Sequence, residues 1–290
     1  MSIIQGSSVS ASSTESGGLY DFPIEQSLRF DGSSYLSRTS TSSSTDNNKY
    51  TMSMWIKKIK VDVYPTGEMY LSAGAGGTGN FGTFFGTDFN TSSPHKSNTL
   101  SFAAYYSSTT PWFVTSASVQ RDTSSWYHYV VVMDQQNSTL SSRIKIYING
   151  VLDSLTVGGF PDTTHTSEIN DPSTIHNIGR RSGNADLYFS GYMANFQFID
   201  GQALNAHYFG ELKNGVWTPK AFDGTASDSN YTIIGATSSY GTNGFHLQFN
   251  PADFNTSGGN QTVTYNGNSS TLPNNHVADV SGSGNHWELH

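Results

Sequence analysis

The chain has 290 residues, no cysteine, and a formal charge of -8 from 14 basic and 22 acidic side chains. That sparse, acidic balance argues against an electrostatic grip on nucleic acid, and the missing cysteine excludes disulfides, thiolate nucleophiles and Cys-ligated zinc. Aromatics at 13 % beside abundant Ser, Thr, Asn and Gly fit a folded β protein better than a disordered or helical one.

Residues 1–24 open with "MSIIQGSSVSASSTESGG", a Ser/Gly-rich arm that offers too little to bury a core of its own. It has neither the basic nor the apolar region of a secretory signal, and we expect it to be a tether or to order on a partner. "SLRFDGSSYLSRT" begins the strands, with Leu28 and Phe30 alternating with Arg29 before an Asp31-Gly32 turn. "KYTMSMWIKKIK" places Met52, Met54 and Ile56 on one face and Ser53, Trp55 and Lys57 on the other, the period of a half-buried strand. The glycines of "SAGAGGTGNFG" are irregularly spaced and lack the following helix of a dinucleotide-binding turn. "TLSFAAYY" and "PWFVTSASV" read as further strands.

"WYHYVVVMD" predicts a mostly buried strand. In "IKIYINGV", Ile144, Ile146 and Ile148 point inward and Lys145 and Tyr147 outward, and Asn149-Gly150 predicts a type I′ hairpin turn. The best helical candidate is short: "GQALNAHYFGELKNG", with Ala203, Leu204, Tyr208 and Leu212 at roughly helical spacing. Beyond it, "GVWTPKAF" is extended ahead of its proline and "YGTNGFHLQF" alternates as a strand. No segment approaches the roughly 20 apolar residues of a membrane span, so membrane insertion is not expected. Many short strands with frequent turn signals mean an all-β sandwich or barrel.

The ordered set "LRFDGSSYLSRT", "YTMSMWIKK", "WYHYVVVMD", "IKIYINGV" and "IGRRSGNADLYFSGYMANFQFIDGQAL" resembles the laminin-G-like branch of the concanavalin-A-like lectin/glucanase superfamily. Over roughly residues 25–210 the resemblance implies a jelly-roll β-sandwich of two antiparallel sheets, with residues 211–290 a β-rich C-terminal extension packing on the sandwich or on a neighbouring subunit. A second resemblance covers nearly the whole chain. "MSIIQGSS", "IEQSLRFDGSSYLSRT", "FIDGQAL", "FGELKNGVWTPKAF", "YGTNGFHLQF" and "VADVSGSGNHW" are similar to recurring blocks in structural proteins of tailed phages. That similarity implies a virion-surface role: capsid decoration or head fibre first, tail fibre or receptor-binding lectin subunit as the alternative. The implied partners are a major capsid or tail protein, further copies of the chain as a homo-oligomer (a trimer), and a host-surface glycan. Relatives of this kind often continue past "SGSGNHW", so a chain ending at His290 is expected to lack a separate receptor-binding or enzymatic module.

A glycanase on this fold needs neighbouring carboxylates, and the superfamily's glucanases carry them as Glu-x-Asp-x-Glu on one strand face. No such run occurs here. The nearest acids, Glu168 with Asp171 and Asp186 alone, sit in turn-like sequence, and a non-enzymatic protein is expected. His165, His176 and His207 are too scattered to suggest a metal site. The sandwich resemblance implies one calcium ion near the sheet ends, for which Asp31 and Asp200 are the candidates; both also read as ordinary Asp-Gly turns. For a glycan, Trp112, Trp126 and Tyr127, with Tyr105 and Tyr106, supply aromatic faces, and Asn80, Asn184 and Asn195 supply planar amides. Core and interface packing compete with that reading. The aromatic load further suggests that Trp217, Phe245, Phe249 and Trp287 of the extension hold the oligomer together.

Overall fold

The computed structural model describes residues 2–5, 22–61, 67–74, 82–87, 97–106, 109–163 and 167–290. It is all-β, with only short 3-10 turns beside the strands among the described residues. An eight-stranded antiparallel sheet runs in the order Ser2–Gln5, Gln26–Asp31, Ser190–Asp200, Lys49–Lys58, Tyr127–Asp134, Ile144–Ile148, Val151–Leu152. Its eighth strand, Phe245–Leu247, pairs with the far half of Ser190–Asp200. The facing sheet has ten strands in the order Leu155–Gly159, Thr109–Ser116, Leu100–Tyr106, Gly82–Thr87, Glu68–Ala73, Ile175–Ile178, Leu36–Thr39, Trp287–Leu289, His276–Val277, Phe254–Asn255.

The period-two pattern places the core where it predicts. Leu28, Phe30, Met52, Met54, Ile56, Ile144 and Ile146 are fully buried between the sheets, facing Leu71, Phe85, Phe102 and Val114. Asn149 and Gly150 have φ of 49° and 80°, as a type I′ turn requires, and Ile148 pairs with Val151 across it.

Three expectations need correction. Tyr147 does leave the inner face, but it is only 7 % exposed because residues 200–240 lie over that side of the sheet. The sequence "GQALNAHYFGELKNG" makes one 3-10 turn, Ala206–Tyr208, and then a hairpin, Gly210–Lys213 with Val216–Pro219. Leu212 stands 66 % exposed there, so helical spacing misplaced it. Phe245, Phe249 and Trp287 are not surface residues awaiting a neighbour. They are at most 3 % exposed inside this chain's own core, where Phe245 packs against Phe196, Phe198 and Trp287. The strand Trp287–Leu289 pairs with Leu36 and Ser37, so removing residues 211–290 would open the core and not release a separate sandwich.

Candidate functional site

The outer face of the eight-stranded sheet carries the other parity of each strand. Trp55 lies between Ala194 and His128 in adjacent strands. Its ring stacks on the imidazole at 4.7 Å, and His128 stacks in turn on Trp217 at 6.1 Å. Trp217 comes from the Val216–Pro219 strand, and its Nε1 donates to His128 Nδ1 at 2.9 Å. That bond fixes the tautomer: Nδ1 accepts, so Nε2 carries the proton and donates to Ser53 Oγ at 2.8 Å. Burial holds the His128 imidazole down at about 3, so it is neutral at physiological pH.

The Asn149-Gly150 turn buttresses this cluster. Asn149 Oδ1 accepts from the His128 amide at 2.8 Å, and a Cβ on Gly150 would lie 2.4 Å from the Trp217 ring. Glycine is needed there twice, for its φ and for the close approach of the indole.

Between this row and the segment that leads into the first core strand lies a cleft of about 460 Å³. Trp55 and Ala194 line it from the sheet, Trp126 and Trp217 with Pro219 from one side, and Pro23 to Ser27 from the other. Trp126 and Trp217 are half-buried, which leaves part of each ring surface free. Two polar atoms of the lining are buried without a hydrogen-bond partner: Trp55 Nε1, a donor, and Gln26 Oε1, an acceptor. On the far flank of Pro23–Gln26 a polar cleft of about 120 Å³ is lined by Asn195, Gln248 and Asn250. It opens where the edge of Ser190–Asp200 changes partner, from the Gln26–Asp31 strand to Phe245–Leu247, around a bulge that puts Asn195 at φ 47°.

Of the glycan candidates, Trp126 alone lines the tryptophan cleft. Trp112 is 2 % exposed and packs edge-on to Phe102 in the core. Tyr127 shares the inner parity with Tyr129, on which it stacks, and its hydroxyl accepts from the Asp122 amide at 3.1 Å. Neither presents a ring to a ligand. Tyr105 packs with Met69, Phe84 and Ala103 outside the other sheet. Asn184 pairs with Arg181, and Asn195 Oδ1 meets His246 Nε2 at 2.6 Å. Asn80 and the Tyr106 side chain lie outside the described residues. Trp55, Trp217 and Gln26 were missed. Trp55 was legible as an outward residue of a half-buried strand, whereas nothing local ties Trp217 to His128, 89 residues away.

Asp31 and Asp200 do not share an ion. Their strands are neighbours as expected but antiparallel, and Asp31 pairs with Ser190, at the opposite end of the strand that finishes at Asp200. Ten residues of strand put the two roughly 30 Å apart. Asp31 Oδ1 takes the amides and hydroxyls of Ser33 and Ser34. Those bonds hold its carboxyl far below the usual carboxylate range. Asp200, 1 % exposed, accepts from Asp46 N and Asn170 Nδ2 on Oδ1 and from Thr45 N and Asn243 N on Oδ2. Four donors aimed at one carboxylate make a structural anchor. Among the described residues no three His, Cys, Asp or Glu side chains cluster as metal ligands would.

The acids considered for catalysis are engaged separately. Glu168 accepts from Thr83 Oγ1, Asp171 from Thr174 Oγ1, and Asp186 is paired with Arg181. His176 receives the Asn170 amide and is held down at about 4 by burial, and His207 stacks on Tyr231 at 3.7 Å. His165 lies outside the described residues.

The model of the Concanavalin A-like lectin/glucanases superfamily matches residues 30–207. No curated protein matches the sequence. Among solved structures, the CBM40 of the Ruminococcus gnavus IT-sialidase aligns at 13 % identity and TM-score 0.42, over 62 % of this chain and 91 % of that one. Domains LG4-5 of the mouse laminin alpha1 chain align at 12 % and 0.40, over 61 % and 44 %. Tailspike protein 2 of the Escherichia coli O157:H7 bacteriophage CAB120 aligns at 13 % and 0.39, over 61 % and 23 %. Likenesses this distant carry nothing about function. The family match spans more than half of the chain, and it contains the end of the opening strand, the Trp55 strand, the Asn149-Gly150 hairpin and the closing strand: this protein belongs to the Concanavalin A-like lectin/glucanases superfamily.

Proposed function

We propose that the protein is a carbohydrate-binding virion-surface protein of a tailed phage that does not itself cleave its ligand, and that the tryptophan cleft is its binding site. The observation that carries the binding role is the convergence of Trp55, Trp126 and Trp217 on one open cleft. Indole faces suit the apolar faces of pyranose rings, and a concave, mostly apolar site with few placed polar groups is the ordinary form of a ligand pocket. Among the described residues Glu25 is the one carboxylate lining it, whereas glycoside hydrolysis ordinarily needs two flanking the bond.

The particle location rests on the six ordered blocks from "MSIIQGSS" to "VADVSGSGNHW" that resemble phage structural proteins. Capsid decoration or a head fibre is the favoured place, and a trimer would multiply weak sugar contacts.

A glycan array probed with the wild type and with Trp126→Ala tests the site. We expect defined glycans to bind the wild type and to be lost in the variant at unchanged melting temperature; an array without hits, or hits that Trp126→Ala retains, removes the cleft from the reading. Antibody labelling of intact particles tests the location, and unlabelled particles would overturn it.

A further inference from the structure

We infer that the ligand of the tryptophan cleft is an acidic glycan, with a carboxylate or sulfate group seated between Arg29 and Lys57 beside the cleft; this rests on the carbohydrate reading above. Tyr192 stands opposite Arg29 in one neighbouring strand and opposite Lys57 in the other, so the three share the outer face in one row. Two residues along the same strands lie Ser27, Ala194 and Trp55, which line the cleft. The row therefore abuts the cleft at about 7 Å, and the backbones of Arg29 and Lys57 stand about 10 Å apart across Tyr192. Trp126 joins the two places, since it lines the cleft and packs edge-on to Tyr192 at 6.5 Å.

Both cations are partly buried, and neither has a hydrogen-bond or ion-pair partner among the described residues. Arg29 Nε is closed to solvent, but its two terminal nitrogens are not. Elsewhere Lys49, Arg181, Lys213 and Lys220 stand in ion pairs, and Lys60 and Arg143 donate to oxygens. The acids nearest the row do not serve it: Asp31 is taken by Ser33 and Ser34, Asp122 by Ser124 and Ser125, and Glu25 forms no ion pair. A partly desolvated cation without an acceptor is costly, and a carboxylate or sulfate restores its bonds through the guanidinium fork and the ammonium. A sugar hydroxyl would leave both charges uncompensated. With a net charge of -8 the rest of the molecule repels an anionic glycan, so the row also determines where such a ligand sits.

The test is a glycan array carrying carboxylated and sulfated glycans beside their carboxyl-reduced and desulfated counterparts, followed by titration of the strongest hit. We expect the acidic members to bind about tenfold tighter than their counterparts, with an affinity that falls as salt is added. Arg29→Gln and Lys57→Gln should each weaken the strongest acidic hit about fivefold or more. Neither side chain has a partner in the fold to lose, so the melting temperature should stay unchanged. Lys49→Gln removes the same charge at the far end of the Trp55 strand, roughly 27 Å away, and should leave that affinity as it is. Equal affinities for acidic and neutral members, an affinity indifferent to salt, an acidic hit that both variants retain, or an equal loss in Lys49→Gln would each overturn the inference. If only neutral glycans bind and Trp126→Ala loses them, the carbohydrate reading stands and this one falls. If no arrayed glycan binds, both fall.

Discussion

Acidification should destabilise this protein strongly above the pH at which carboxylates ordinarily titrate. Burial holds His128 and His246 down at about 3 and His176 at about 4, so all three stay neutral in the folded chain at pH 5. In the unfolded chain they take up protons below about 6.5. The unfolded state therefore binds more protons over the window from about 6.5 down to about 3–4, and stability falls as pH falls through it. At pH 5 each neutral histidine forgoes about 2 kcal/mol of protonation, and three forgo about 6 kcal/mol, against a typical total of about 5–15 kcal/mol. That figure depends only on the folded values lying below pH 5. His207 and His286, also lowered by burial, act in the same direction, while Asp171 and Asp253, raised by burial, oppose it. Urea denaturation at pH 7 and pH 5, at fixed ionic strength, measures the loss. His246→Gln, which keeps a donor for Asn195, should remove about a third of the pH dependence. A stability at pH 5 within about 1 kcal/mol of that at pH 7 would refute the reasoning.

Three further outcomes follow from named contacts. Asp200→Asn keeps the shape but must turn an NH₂ toward two donors, whichever way the amide faces, so chemical denaturation should show a loss of about 3 kcal/mol or more. Gly150→Ala should cost about 1–2 kcal/mol through its positive φ and more by displacing Trp217. In a Trp217→Ala background the second part should vanish, which a double-mutant cycle reads. Trp287→Ala should cost about 3–5 kcal/mol, as a fully buried ring does, and a change below 1 kcal/mol would show that the C-terminal strand is not part of the core.

Strands with one polar face were the readable ones, even where that face is covered. Met52, Met54 and Ile56 alternate with Ser53 and Lys57, and the inner face follows from that alternation alone. "YHYVVVMD" offered no such contrast. Tyr129, Val131 and Met133 enter the main core while Val130 and Val132 enter a second one, so both parities are apolar and the side of Tyr127 could not be read. The same second core hid the fate of Tyr147. Asp31 and Asp200 failed as a pair for a topological reason: adjacency of two strands says nothing about which ends meet until their direction is known. Trp112 was misplaced because an aromatic in a strand looks the same from sequence whether it packs inward or faces solvent.

The extent of the third layer determines where the cleft lies. Along the outward row of Lys49–Lys58, Thr51 Oγ1 donates to the Gln202 carbonyl and accepts from the Leu204 amide, so the covering segment is pinned at that level. Two residues on, Ser53 Oγ is bonded to His128, and two further, Trp55 floors the cleft. The cover ends at Trp217, whose ring packs on Gly150 and Gly210 and whose N–H is held by His128. Trp217 thus belongs to two structures, the rim of the covering layer and the wall of the cleft. Loosening the layer at Thr51 should therefore register at the cleft before it registers in the main core, because Trp217 is the first contact shared by both. Thr51→Val removes both pinning bonds at nearly constant volume. Its expected effect is greater solvent exposure of Trp217 in fluorescence quenching, with amide exchange in Tyr127–Asp134 unchanged. Faster exchange throughout that strand would mean that the layer and the sandwich open together, and the cleft would then have no independent wall.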